Sequence, residues 1–141
     1  MKQSFYALCY LHKNRICHRD IKPENFLLYK EDDDSHIKLI DFGFCCSSPP
    51  DHRLRVFCGT PSYMCPEIVQ RKDYFGPPTD IWASGILFFA MLCGKFPFKG
   101  TDTKDLYKQI AKGLYQFPEG SKVSGETRNF LMKMLVVNPV A

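Results

Sequence analysis

Asp20, Lys22 and Asn25 lie within six residues of one another, and Asp41 follows further along. A carboxylate can accept a proton from an attacking hydroxyl. Asn and Asp oxygens are hard donors suited to magnesium, which keeps several waters and binds through one or two carboxylates plus substrate phosphates. A lysine two residues from the acid can face a phosphate as a point charge and offset charge developing on it. Against this stands the blander reading of "CHRDIKPENFLL", Cys17 to Leu28, as a solvated charged loop, which most charge clusters are.

The chemical reading needs elements that bring Asp41 back to the earlier pair. "FLLYK" (Phe26–Lys30) and "HIKLI" (His36–Ile40) read as two short strands. The acidic turn Glu31-Asp32-Asp33-Asp34-Ser35 between them reads as a solvated hairpin tip in preference to a cation site. If the strands pair, the loop before the first and the loop after the second emerge at the same end. Asp20, Asn25 and Asp41 then converge on one spot.

The remaining elements are mostly helical. Phe5, Leu8, Cys9 and Leu11 predict a helix ending near Lys13-Asn14-Arg15. From Asp41 to about Thr79 the chain is loop-like, and loops of such length are functional or disordered. "DIWASGILFFAMLC", Asp80 to Cys93, is apolar nearly all round and predicts a helix buried on every side, Leu87 and Met91 in the core, stopped by Gly94. Thr101-Asp102 caps a shorter helix to about Lys112 with Leu106 and Ile110 inward; Ser124 caps another with Phe130, Leu131, Met134 and Leu135 inward. The expected fold class is mainly α with a small β-hairpin.

Composition sets the bounds. A chain of 141 residues is about one domain, with 45% hydrophobic and 24% charged residues near the globular average. A net charge of +4 permits a nucleotide or phosphate partner and does not by itself argue for nucleic acid. Seven cysteines, none in a Cys-x-x-Cys pair, show neither a zinc ligand set nor a disulfide framework. Scattered cysteines of this kind favour a reduced compartment, the cytoplasm or nucleus. The start lacks a signal peptide's apolar core, and the longest apolar stretch, Ile86 to Cys93, is too short for a membrane span.

His18-Arg19-Asp20-Ile21-Lys22-Pro23-Glu24-Asn25 resembles the catalytic loop of protein kinases, and Asp41-Phe42-Gly43 resembles their metal-binding triplet. Gly59-Thr60-Pro61-Ser62-Tyr63-Met64-Cys65-Pro66-Glu67 is similar to the end of the activation segment, with Cys65 where alanine is usual. Asp80-Ile81-Trp82-Ala83-Ser84-Gly85 resembles the start of the family's central buried helix. Four motifs in order cover essentially the whole chain as a large, C-terminal kinase lobe, a partial kinase domain over residues 1–141. The tone of "YLHKNRICHRDIKPENFLL" and "GTPSYMCPEI" is similar to the calcium/calmodulin-dependent and calcium-dependent group, although no EF-hand loop is present.

The resemblance implies roles residue by residue. Asp20 becomes the catalytic base and Lys22 the group facing the transferred phosphate, with Thr60 hydrogen-bonding near both. Asn25 and Asp41 become Mg2+ ligands. Lys22, Glu24, Asn25, Leu27 and Asp41 face ATP, with Leu27 beneath the adenine ring. His18 and Phe42 stack in an apolar spine ending on Asp80. Lys22 with Thr60 resembles enzymes acting on serine or threonine of protein substrates, and Glu24 could attract a basic residue upstream of the acceptor. No arginine follows "GTPSYM", which argues against a proline-directed enzyme. A monomeric catalytic domain is implied.

Two further expectations concern regulation and completeness. Arg19 is the residue that grips an activation-segment phosphate in many kinases, yet Arg55-Val56-Phe57 stands where a phosphothreonine often sits. Activity without phosphate at position 56 is therefore expected, with Ser47 and Ser48 the nearest alternative hydroxyls. Glu67 is expected to pair with an arginine a few residues past an Asn-Pro step such as Asn138-Pro139. No Gly-x-Gly-x-x-Gly or Val-Ala-Ile-Lys precedes the catalytic loop, so the chain reads as a fragment of a longer kinase, poorly active alone. Two other readings compete: a non-catalytic scaffold or decoy, opposed by the intact Asp20, Lys22, Asn25 and Asp41, and a small-molecule phosphotransferase, opposed by the segment Gly59 to Glu67.

Overall fold

The computed structural model describes residues 1–30 and 33–139. Helix α1, Lys2–Lys13, buries Leu8 and Leu11. Cys9, expected on that face, is exposed, because one residue of a helix turns about 100° away from its neighbour. Strands β2 (Phe26–Lys30) and β3 (Asp33–Leu39) form the antiparallel hairpin, pairing Phe26 with Leu39 and Leu28 with Ile37. β3 begins three residues before the expected His36, since Lys30 pairs with Asp33 and the ladder continues into the acidic run. Glu31 and Asp32, assigned to a solvated tip from sequence, lie outside the described residues.

A second two-stranded sheet was not foreseen: β1 (Ile16–Cys17) pairs antiparallel with β4 (Cys46–Ser47), just upstream of one motif and just downstream of another. Two-residue strands carry no periodicity for sequence reading to detect. The expected loop from Asp41 to Thr79 likewise holds a 3-10 turn at Pro61–Tyr63, the short helix α2 (Pro66–Val69) and a bridge between Leu54 and Tyr74.

Helix α3, Gly76–Cys93, is the centre of the molecule. It begins four residues before the expected Asp80, because Pro77 and Pro78 fall in a first turn whose N–H groups have no intrahelical acceptor anyway. Its first residue has to be small: a Cβ on Gly76 would fall 2.7 Å from Ser48 Oγ and 2.8 Å from Cys17 Cβ. Gly94 ends it in the left-handed conformation at φ 67°. Ile86, Leu87, Phe88 and Phe89 are buried, but Met91 is 66% exposed, correcting its assignment to the core. In the last turn of α3 Met91 and Leu92 face outward while Cys93 still packs against the core.

The outer helices follow their caps. In α4 (Thr103–Lys112) the Asp102 carboxylate accepts the Asp105 N–H at 2.7 Å, and Ile110 is fully buried with Leu106 half-buried above it. In α5 (Gly125–Met134) Ser124 Oγ accepts the Thr127 N–H. Leu131, Met134 and Leu135 are buried; Phe130, expected inward, is 48% exposed and meets Phe5 edge-on. No helix among the described residues is long and apolar enough to cross a membrane. The content is mainly helical, with two small two-stranded sheets where one hairpin was expected.

Candidate active site

The loop between β1 and β2 is fixed from beneath by Asp80, whose carboxylate is fully buried on α3. One oxygen accepts the Arg19 N–H at 2.7 Å; the other accepts the His18 N–H at 2.9 Å and contacts His12 Nε2 at 2.8 Å. A buried carboxylate is tolerable only with such partners. It holds Arg19 at φ 67°, a left-handed conformation that costs a non-glycine residue about 1–3 kcal/mol. Strain of this kind clusters where a fold must aim a side chain, and the next residue is Asp20.

Asp20 is the hub of the site. Its Oδ1 accepts the Thr60 hydroxyl at 2.7 Å and the Thr60 N–H at 3.1 Å. Its Oδ2 meets Lys22 Nζ at 2.7 Å and accepts Asn25 Nδ2 at 3.2 Å. Lys22 Nζ also donates to Thr60 Oγ1 at 3.1 Å, and Asn25 Nδ2 to the Asp20 carbonyl at 2.7 Å. Burial would raise the Asp20 carboxyl, but Lys22, Thr60 and Asn25 together hold it below the usual range. Hydrogen bonding to Asp20 raises the Lys22 ammonium in turn. Lys22 and Asp20 form an ion pair, an ammonium being the nearest compensation for a buried carboxylate.

Asp41 follows directly on the hairpin. The Ile40 N–H donates to the Asn25 carbonyl at 2.9 Å, extending the ladder to the residue before Asp41. Asp41 stands at φ 61°, a second strained non-glycine position, with Oδ1 accepting the Gly43 N–H at 3.2 Å. Its charge is felt at Lys22. His18 and Phe42 meet edge-on at 5.2 Å, so the two motifs also touch through their rings. Glu24 and Leu27 are exposed on the rim, in the 3-10 turn Pro23–Asn25 and on β2.

The donor set suits magnesium as a partner of phosphates. The Asn25 amide nitrogen is committed to Asp20, which leaves its oxygen as the remaining donor, and Asp41 presents an exposed carboxylate. No group of three His, Cys, Asp or Glu able to hold a metal occurs among the described residues, so a cation here would depend on substrate oxygens.

Several residues that build the site carried no sequence signal of their own. His12 is one of two basic residues, with Lys13, in the last turn of α1, and only the long-range contact with Asp80 shows its place. Tyr74 accepts from Arg19 Nη1 at 3.4 Å and donates to the Val56 carbonyl at 2.8 Å; Arg19 Nε donates to the Phe44 carbonyl at 2.7 Å. The Arg71 guanidinium lies 4.5 Å over the Phe57 ring, which meets Tyr107 edge-on. Glu67 lines a cavity of about 370 Å³ with Arg53 and Asn138; its Oε2 is buried without a hydrogen bond among the described residues, and burial pushes its carboxyl up.

Comparison with known proteins agrees with this geometry. The family described as "Protein kinase domain" matches residues 1–141. The chain is 42% identical over 138 residues to the probable serine/threonine-protein kinase HSL1 of Saccharomyces cerevisiae, covering 98% of this chain and 9% of that protein. It is 40% identical over 139 residues to the carbon catabolite-derepressing protein kinase of Candida tropicalis, covering 99% and 22%. It is 40% identical over 131 residues to the serine/threonine protein kinase OSK3 of Oryza sativa subsp. indica, covering 93% and 25%. The chain thus spans a quarter or less of the length of each of these relatives. With the buried Asp80 anchor, the hydrogen-bonded Asp20 hub and a family match along its whole length, the chain belongs to the protein kinase family.

Proposed function

We propose that this chain carries the phosphotransfer lobe of a serine/threonine protein kinase, moving the γ-phosphoryl group of ATP to a serine or threonine hydroxyl of a protein. The observation that carries the reading is the closed set of Asp20, Lys22, Asn25 and Thr60 around one carboxylate. Its serine/threonine character is supported by the names of the relatives and by the Lys22–Thr60 contact.

Asp20 orients the acceptor hydroxyl and takes its proton. A carboxylate held below its usual range is a weak base, which suits a loose transition state in which positioning and electrostatics do most of the catalysis. Lys22 swings from Asp20 toward the transferred phosphoryl as negative charge arrives beside it. Thr60 holds Asp20 in place while Lys22 moves. Asn25 and Asp41 would hold Mg2+, which when bound neutralises charge on the nucleotide phosphates. Leu27 supplies an apolar floor for the base of ATP, and Glu24 a rim charge able to attract a basic residue of the substrate. Placement in the calcium/calmodulin-dependent group rests on the loop and segment sequences alone.

Phosphotransfer needs a lobe that covers the ATP phosphates. These 141 residues contain no Gly-x-Gly-x-x-Gly, so we read the activity as that of a longer catalytic domain to which they contribute. No phosphate is needed at position 56: the Arg19 guanidinium is occupied by Tyr74 and the Phe44 carbonyl, and Tyr74 in turn holds the Val56 carbonyl.

The test joins this chain to a protein-kinase small lobe and measures transfer of labelled γ-phosphate to peptides that differ only in a Ser, Thr or Tyr acceptor. Transfer to Ser and Thr, with loss of at least a thousandfold in Asp20→Asn, supports the reading. Undiminished transfer in Asp20→Asn, or transfer to Tyr alone, sinks it. A scaffold would show no transfer from the joined protein at all.

A further inference from the structure

Cys17 and Cys46 face one another across the β1–β4 pair. Their sulfurs lie 3.4 Å apart, and no other two cysteine sulfurs are in such contact among the described residues. Directly paired residues of an antiparallel ladder have Cα atoms about 4.5 or 5.5 Å apart, and both values lie inside the range of about 4.4–6.8 Å that a disulfide spans. Bringing the sulfurs to bonding distance therefore requires side-chain rotation with the strands left paired. Cys17 is fully buried, whereas Cys46 is half-buried and open to a small oxidant.

We propose that Cys17 and Cys46 form a reversible redox pair that ties the strand entering the catalytic loop to the strand leaving the Asp41-Phe42-Gly43 triplet. A hydroperoxide first oxidises the Cys46 thiol to a sulfenic acid, its O–O bond breaking and one water or alcohol leaving. The Cys17 sulfur then attacks Cys46; the S–O bond breaks as the S–S bond forms, and a second water carries off the hydroxyl with the thiol proton. Two thiols give up two electrons and two protons, and the peroxide takes up both.

The order of events follows from the surroundings. Burial, with Cys46 beside it, pushes the Cys17 thiol up, so Cys17 is the resolving sulfur and not the first to react. Neighbouring Cys45 points its thiol at the His18 carbonyl, 3.8 Å away, and burial pushes it up to about 11. The Cys58 sulfur contacts the Tyr74 hydroxyl instead of a thiol.

The chain is exposed to hydrogen peroxide, its remaining thiols are alkylated, and the tryptic peptides are weighed. The expected product joins Ile16–Arg19 to Leu39–Arg53, carries one alkyl group on Cys45, is otherwise two hydrogens lighter than the sum of the two peptides, and disappears with dithiothreitol. Leu39–Arg53 contains both Cys45 and Cys46, so variants assign the partner: the cross-link should persist in Cys45→Ser and be lost in Cys46→Ser, with circular dichroism confirming that both fold. In urea the preference for this pair should vanish, because it depends on the strands. Any of three results overturns the proposal: persistence of the cross-link in Cys46→Ser, sulfinic acid at Cys46 with no cross-link, or unreacted Cys17 and Cys46 at a dose that oxidises the exposed Cys9.

Discussion

Replacing Asp80 with Asn isolates the anchor on which the site rests. The wild-type carboxylate accepts two backbone N–H groups, from His18 and Arg19, and contacts His12 Nε2, all while fully buried. Asn keeps the shape and one oxygen acceptor, but turns an NH2 group toward a backbone N–H that has no other acceptor. Hydrogen bonds to charged groups contribute about 1.5–3 kcal/mol each, and breaking a buried charge cluster by removing one partner costs about 3–5 kcal/mol. Asp80→Asn is therefore expected to lose about 4 kcal/mol, a large part of the 5–15 kcal/mol typical of a domain. With a urea slope near 2 kcal/mol per molar, the unfolding midpoint should fall by about 2 M. His12→Ala removes one of the three contacts and leaves the backbone bonds, so its loss should be about 1–2 kcal/mol. Urea titration of wild type and both variants, followed by far-UV circular dichroism, measures the difference. Equal losses in the two variants, or a loss under about 1 kcal/mol in Asp80→Asn, would mean that the backbone at Arg19 holds its strained conformation without the carboxylate.

Thr60→Ala removes the hydroxyl that donates to Asp20 and accepts from Lys22, and in the joined catalytic domain it should lower kcat about tenfold to hundredfold with Thr60→Ser restoring most of it. The Asp20–Lys22 coupling, measured by a double-mutant cycle of Asp20→Asn and Lys22→Met, has a defined pH window. Asp20, held below 3.8, contributes stability above that value and loses it as pH falls through the folded value; Lys22, held above 10.5, contributes below that value and loses it as pH rises through the folded one. The coupling should be level from roughly pH 5 to 9, and a peak or collapse inside that range would contradict it. Gly76→Ala should destabilise by about 1–3 kcal/mol in thermal unfolding despite alanine's higher helix propensity, because the new methyl meets Ser48 and Cys17. Tyr74→Phe should speed tryptic cleavage at Arg53 and Arg55 in native buffer, since it removes the hydroxyl that holds the Val56 carbonyl; an unchanged rate would show that the Leu54–Tyr74 bridge and the Phe57 contacts suffice.

The legible part of this fold was the part whose signals are local. Caps at Asp102 and Ser124, the stop at Gly94 and the strand-like run Phe26–Lys30 are each signalled within a few residues, and each stands where it was expected. The pairing that brings Ile40 beside Asn25 was legible for a different reason. A hairpin has only one way to return its second strand, so pairing two short runs fixes which loops share an end.

What stayed illegible depends on partners distant in the chain. Nothing around His12 announces a contact 68 residues away, and nothing in Arg19 says that a tyrosine hydroxyl, not a phosphate, will meet it. Met91 and Phe130 failed in the opposite direction, because an apolar helical position shows only that a face is apolar and not how far the neighbouring elements extend. The Cys17–Cys46 contact belongs to the same class: two residues in strands too short to read, joined by a register that Asp80 and Gly76 impose from α3. Asp80 grips the backbone on one side of Cys17 and Gly76 lets α3 press against its sulfur on the other. One helix N-terminus therefore sets both the aim of Asp20 and the distance between the two sulfurs. If Gly76→Ala pushes α3 away, the Cys17–Cys46 cross-link and the native stability should be lost together, whereas loss of one alone would separate the two roles of that helix.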